Sequence, residues 1–260
     1  MQGSVGYNLG FAAAVCFVCA IVVSTSAVSL ADRQDRNAAL DKQNNVLVAA
    51  GLATDEESLG AAEVASRFEL ITQVIIDVRT GDIADGFEPT TFDQRAASID
   101  VARSSPAPDN AARIMRIPHR ALVYEIRDGA GGLDMVVLPI EGLGLWGTLY
   151  GFVVLEGDLR TIRGLTFYEH KETPGLGGEV DNPRWKALWA GRMAFDDDLM
   201  PVIAVVKGTA GSVSDAPYSV DGLSGATITS RGVTNLLRFW LGSDGFGPYL
   251  TRLRRAGGTV

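Results

Sequence analysis

Cysteine is nearly absent from this chain. Its 260 residues contain two, Cys16 and Cys19, both inside the first apolar run. The body beyond them can therefore hold no disulfide, no thiolate-ligated zinc and no thiolate-ligated cluster. The C-x-x-C pair itself sits in so apolar a setting that it reads as two small hydrophobes rather than as a redox or metal motif. Histidine is equally scarce. His119 and His170 are the only two, in neither H-x-x-x-H nor H-E-x-x-H spacing, so no metal site is expected. Positive charge is in deficit, with 23 Lys and Arg against 31 Asp and Glu and a net charge of −8. That balance excludes nucleic acid as a partner, because neutralising phosphates takes a basic face. It equally excludes a polybasic membrane-surface mode.

Charge of either sign is missing from residues 1–31. Residues 10–30 are almost wholly apolar and small, and as a helix they span roughly 30 Å, the thickness of a hydrocarbon core. The run Ser29, Leu30, Ala31 resembles a signal-peptide cleavage site. A signal peptide, however, wants a positive N-terminal region, and residues 1–8 carry no Lys or Arg. The expectation is a retained anchor. Residues 1–9 form a short tail, 10–30 a transmembrane helix, 31–50 a helical stalk and 51–260 one domain. Arg33, Arg36 and Lys42 follow the helix, which favours a cytoplasmic body by the positive-inside rule, but Asp32, Asp35 and Asp41 interleave with them.

The domain reads as α+β with antiparallel hairpins and flanking helices. Asp55, Glu56 and Glu57 open a helical stretch to about Leu70. Residues 74–79 have strand composition, 83–103 carry little pattern, and 104–109 (SSPAPD) read as a loop. Residues 121–127 and 133–140 flank the turn DGAGG, and 148–155 and 161–170 flank EGDLR, giving two hairpins. Asn182 ahead of Pro183 signals a helix entrance, and 201–207 a short strand. In the last third, Val233, Leu236, Leu237, Trp240 and Leu241 recur at helical spacing before Gly242. The basic end, Arg252, Arg254 and Arg255, reads as solvated.

The run GLGLWG (142–147) matches G-x-G-x-x-G, but TLYGFVVLEG follows it, a strand rather than a helix. The dinucleotide reading requires a helix there and is declined; a glycine-rich loop between strands remains, with Trp146 beside it. Two further stretches are unusual. SGAT (224–227) stands at the entrance of the last helix, where open N–H groups and the dipole can seat a phosphate. The bland alternative is that Thr227, Thr229 or Ser230 simply caps that helix. ETPGLGG (172–178) sets three glycines around Leu176, either as a plain turn or as a loop laid against a planar ring. Taken singly, each stretch stays open.

Together they carry a resemblance. DGLSGAT (221–227) matches the acceptor motif D-x-x-[S/T]-[G/A]-A-T, on which a flavin transferase attaches FMN. With GLGLWG, LEGDLRTIRGLTFYEHKETPGLGGEVDNPRW, the VKG before the last loop and FWLGSDGFGPYL, the chain resembles the C subunits of the Na⁺-translocating NADH:quinone reductases. The resemblance implies one FMN bound covalently through a phosphoester to Thr227, with Ser224, Gly225 and Ala226 at the phosphate. It places Trp146, Glu172, Thr173, Gly175 and Leu176 along the flavin, Lys207 and Thr229 as neighbours, and Asp221 as an aid to attachment. It implies an electron relay with no catalytic acid or base and no metal. Its partners are the other members of an assembly of six subunits that oxidises NADH, reduces ubiquinone and pumps Na⁺. It also implies a single-pass protein of the bacterial inner membrane with its domain on the periplasmic side, against the charge hint above. The rivals are the related G subunits of Rnf complexes, a membrane-anchored scaffold in which SGAT is only a cap, and a stand-alone flavoenzyme, for which Glu172 is the only candidate acid or base.

Overall fold

The computed structural model describes residues 5–54, 57 and 59–257. By its internal contacts the chain divides into two compact units, Met1–Lys42 and Gln43–Val260. Helix α1, Val5–Ala49, contributes to both. Its first part, Val5–Ala31, is long and apolar enough to cross a membrane, and none of its most apolar stretch is buried. Cys16 and Cys19 are exposed on it. Its last residues belong to the second unit, where Val46, Leu47 and Ala50 are fully buried.

Helix α2 covers Ala61–Phe68, a shorter element than the expected 55–70. Asp55, Glu56 and Ser58 lie outside the described residues, while Glu57 stands ahead of the helix and accepts from the Thr54 amide and from Arg67. The chain then runs through β1 (Ile71–Asp77), α3 (Gln94–Ile99), β2 (Ser104–Pro106), β3 (Arg116–Pro118), β4 (Arg120–Arg127), β5 (Leu133–Leu143), β6 (Thr148–Glu156) and β7 (Ile162–Glu169). A single turn α4 (Pro183–Lys186), short strands β8 (Ala204–Val205) and β9 (Ser219–Val220), and helices α5 (Thr227–Leu241) and α6 (Gly247–Ala256) complete it.

One five-stranded antiparallel sheet, ordered β1-β4-β5-β6-β7, forms the centre. Both expected hairpins are there. The sheet is covered on both sides, which is why β4 and β6 show continuous buried runs instead of alternation. Neighbours on β4 show the two faces: the Tyr124 ring meets Phe68 of α2, while Glu125 accepts a hydrogen bond from Tyr249 of α6. The amphipathic helix α5 lies across the end of β5, where its Leu236 fills the space above Gly142 and the Trp240 indole donates to the Glu141 carbonyl at 2.7 Å.

Three local expectations are corrected. The expected loop at 104–109 begins as strand β2, paired with β3 across Ser104–Pro118, a register too short to leave a sequence pattern. The expected strand 201–207 shrinks to Ala204–Val205, paired in parallel with β9. Arg254 is buried rather than solvated, since its guanidinium donates to the Leu159 carbonyl at 2.7 Å and stacks over Phe195. The helix entrance at Asn182 is present, its side chain accepting from the Arg184 amide, but the helix lasts one turn.

Candidate functional site

The glycine run 142–147 is a hairpin turn. Gly142 and Leu143 pair with Leu149 and Thr148, and the Gly144 amide closes on the Gly147 carbonyl at 2.8 Å. No helix opens there, so the structure agrees with declining the dinucleotide reading. Beside it, residues 172–178 fold into a compact loop in which the Thr173 carbonyl accepts from the amides of Leu176 and Gly178. Gly175 takes a positive φ of 77° with open space around it. The tight turn pushes Leu176 outward, 44% exposed, as Trp146 is at 66%.

Both loops meet the start of α5. Thr227 is its first residue, and Ala226 in the cap position gives it no side-chain cap. The three hydroxyls that could have capped it are placed otherwise. Thr229 points inward and donates to Glu172 Oε2 at 2.5 Å. Ser230 turns back and accepts from the Leu223 amide at 3.1 Å. Thr227 stays exposed. The first-turn N–H groups of a helix have no intrahelical partner, and the cap residue Ala226 offers them no side-chain acceptor. Gly225 reaches this position with φ of 71°, its missing Cβ leaving room for Leu176 Cδ2.

A cleft of about 600 Å³ opens beside this helix start, bordered by Lys207, Asp221, Ser224, Gly225, Thr227 and Arg231 among others. Asp221 accepts from the Ala210 amide through Oδ1 while its carbonyl accepts from the Trp185 indole, which fixes the loop that carries Lys207. Lys207 and Arg231 are exposed cations in that cleft. Arg231 is not among the residues that the sequence singles out, although it stands four positions after Thr227 and so on the same helix face. Ile228, 47% exposed, is likewise missed.

The structure thus brings the singled-out residues to one place. Ser224, Gly225, Thr227, Asp221 and Lys207 border the cleft; Ala226 is buried in the cap position; Trp146, Thr173, Gly175 and Leu176 lie on the adjoining loops. Glu172 and Thr229 lie beneath, turned inward. The donor set fits a flavin nucleotide. A helix start without a side-chain cap and two cations suit a phosphate, and exposed Trp146, Leu176 and Ile228 offer apolar surface for a flat ring.

Residues 144–242 match the FMN-binding domain family. Fold, cleft and match together define the class, an FMN-binding domain on a chain that begins with a membrane-length apolar helix. The C subunit of the Na(+)-translocating NADH-quinone reductase of Pseudomonas aeruginosa is 44% identical over 258 residues, 98% of each chain. Its counterpart of the same name from Vibrio anguillarum is 44% identical over 246 residues, 94% of this chain and 93% of its own. The crystal structure of Shewanella oneidensis NqrC superposes with a TM-score of 0.75 at 36% identity, covering 83% of this chain and 97% of that one. This chain belongs to the NqrC family, the C subunits of Na⁺-translocating NADH-quinone reductases.

Proposed function

We propose that this chain is the electron-relay subunit of a Na⁺-translocating NADH-quinone reductase and holds one FMN through a phosphoester on Thr227. The observation that carries this reading is the start of α5. Of three adjacent hydroxyl residues, two are engaged elsewhere, and Thr227 alone stands exposed at a helix N-terminus with no side-chain cap. The family named by the relatives and the FMN-binding match over 144–242 support it.

When bound, the flavin supplies one- and two-electron transfer, which no side chain here can perform. The protein's own share is position and electrostatics. Ser224, Gly225 and Ala226 hold the phosphate at the helix start, with Lys207 and Arg231 adding positive charge. Trp146 and Leu176, with Gly175 and Thr173, line the ring. Asp221 steadies the acceptor loop for a flavin transferase that works on the chain during maturation. No side chain is assigned as acid, base or nucleophile. Glu172, the one such candidate, is buried with both oxygens occupied.

Residues 10–30 cross the bacterial inner membrane, 31–50 form the stalk, and 51–260 form the flavin domain on the periplasmic side, where the transferase acts. NADH oxidation, ubiquinone reduction and Na⁺ movement belong to the complex of six subunits, since a single span without a charge offers no ion path. The scaffold alternative reads SGAT as a cap on α5, and it is disfavoured because Thr229 and Ser230 are engaged elsewhere and Thr227, the first helical residue, forms no cap. The test is to produce the chain with its flavin transferase, beside Thr227→Val, and view a denaturing gel under ultraviolet light. A bright wild-type band with a dark variant band is expected. Two dark bands, with a transferase active on a known acceptor, would remove the covalent flavin.

A further inference from the structure

Three motifs of this chain converge on one buried carboxylate. Glu172 is 5% exposed. Its Oε1 accepts from the backbone amides of Leu145 and Trp146, both at 2.9 Å. Its Oε2 accepts from the Thr229 hydroxyl at 2.5 Å. A carboxylate offers about four acceptor positions, so three are filled by groups of the protein itself.

The surrounding glycines are shaped to this side chain. A Cβ on Gly144, in the 142–147 turn, would lie 2.6 Å from Glu172 Oε1. A Cβ on Gly177, in the 172–178 loop, would collide with Oε2 and lie 2.6 Å from the Thr229 hydroxyl. Neither glycine has a positive φ, so what their bareness supplies at these positions is room and not backbone freedom. Behind Glu172, its own amide donates to His170 Nδ1 at 3.1 Å, and His170 Nε2 faces Asp181 Oδ2 at 2.6 Å. An Nδ1 that accepts carries no proton, so Nε2 bears it and donates to Asp181.

We propose that Glu172 is a positioning residue. Its carboxylate contacts no ligand and instead ties the 144–147 turn, the 172–178 loop and the first turn of α5 into one rigid floor for the flavin. Gly144 and Gly177 are the spaces it requires. The Thr229 bond fixes the rotation of α5 that turns Thr227 outward, two residues earlier on the helix. The amide bonds to Leu145 and Trp146 fix the indole of Trp146 relative to that threonine. This proposal rests on reading the cleft as the FMN site, but its floor exists without flavin, which makes the two separable.

The experiment uses the full-length chain in detergent, produced with and without the flavin transferase, as wild type, Glu172→Ala and Glu172→Gln. Glu172→Ala is expected to cut covalent flavin fluorescence on the order of tenfold, since three bonds to a charged acceptor are lost. Glu172→Gln is expected to load nearly as wild type, because its carbonyl still accepts both amides and the Thr229 hydroxyl can turn to accept from the side-chain amide. A side chain that touched the flavin through its charge would not be rescued in this way. In flavin-free protein, hydrogen exchange at the Leu145 and Trp146 amides should quicken in Glu172→Ala while β5 and β6 keep their protection. Wild-type exchange at those two amides, or wild-type loading of Glu172→Ala, overturns the proposal. If Glu172→Ala does not fold, Thr229→Val removes only the α5 bond and should lower loading severalfold, and unchanged loading overturns it. A Thr227→Val band that stays bright would sink the linkage reading and leave the exchange result standing.

Discussion

Gly232, in the second turn of α5, lies against the backbone carbonyl of Leu143 at the end of β5, and a Cβ on it would overlap that oxygen. The contact sets how closely α5 approaches the sheet, and Gly144 Cα is also within reach of it. In an isolated helix, alanine would improve on glycine by about 1 kcal/mol. Here the opposing atom is backbone and cannot rotate away. Gly232→Ala is expected to destabilise the domain by about 1–3 kcal/mol, as overpacking does, and to lower flavin loading because α5 must shift. Thermal unfolding together with in-gel flavin fluorescence checks it; a variant as stable as wild type would mean that α5 can slide on β5 without cost.

The two cations of the cleft come from different elements, Lys207 from the loop after β8 and Arg231 from α5. Both are exposed, so each is expected to contribute about 1 kcal/mol toward a phosphate, below the range for buried charge-assisted bonds. Lys207→Ala and Arg231→Ala should each slow flavin incorporation by the transferase about fivefold, and the double variant more than either. Raising the ionic strength should shrink the difference between wild type and the variants. Incorporation rates that are identical across the set would place the phosphate elsewhere.

The contrast between these cases shows what the sequence made legible. The central hairpins could be read because DGAGG and EGDLR are strong turn signals between apolar runs. The α5 stripe could be read because Val233, Leu236, Leu237 and Trp240 keep a period that burial enforces. SGAT and ETPGLGG were visible as odd, but not how they meet, since Glu172 joins them through a hydroxyl 57 residues away. That link leaves no local periodicity. Strands β2, β8 and β9 were missed or misjudged for a related reason. They are two or three residues long, held by partners distant in the chain, and carry no alternation of their own. Buried Arg254 looked like a solvated tail because a charge run says nothing of the Leu159 carbonyl that receives it.

Glu125 of β4 is buried and shared between two donors, the Tyr249 hydroxyl at 2.7 Å on Oε1 and Arg127 at 2.5 Å on Oε2. Burial, then the nearby carboxylate, pushes the Tyr249 phenol far above its ordinary range, so at neutral pH it is protonated and a donor. Tyr249→Phe keeps the ring and removes the donor. The loss is expected to cost about 1.5–3 kcal/mol, the range for a hydrogen bond to a charged group. Urea unfolding checks this, and a ΔG unchanged from wild type would mean that water or Arg127 replaces the phenol. Flavin loading should be unaffected, because α6 borders neither loop of the site.

Glu141, on β5 two residues before Leu143, has its carboxyl pushed above the ordinary glutamate value by burial, with Arg95 of α3 working against the shift. Arg95 is itself drawn to Glu169 by a two-pronged pair at 2.5 and 3.1 Å and lies over the Tyr150 ring, so it only partly compensates Glu141. The raised value fixes the sign of the pH dependence. Below the unfolded-state value the group is protonated in both states and contributes no penalty. As pH climbs from there to the folded-state value, the unfolded chain ionises first, so stability falls, and above the folded value the penalty is complete. Glu141→Gln removes this titration at nearly constant shape. The variant is expected to be more stable than wild type at about pH 8, with the gap closing toward about pH 3, below the ordinary glutamate value. Unfolding free energies measured across that range check it. Two parallel curves would show that Arg95 cancels the burial and the carboxyl is not shifted, and a variant that becomes weaker than wild type as pH rises would show that the carboxylate is held by a net attraction.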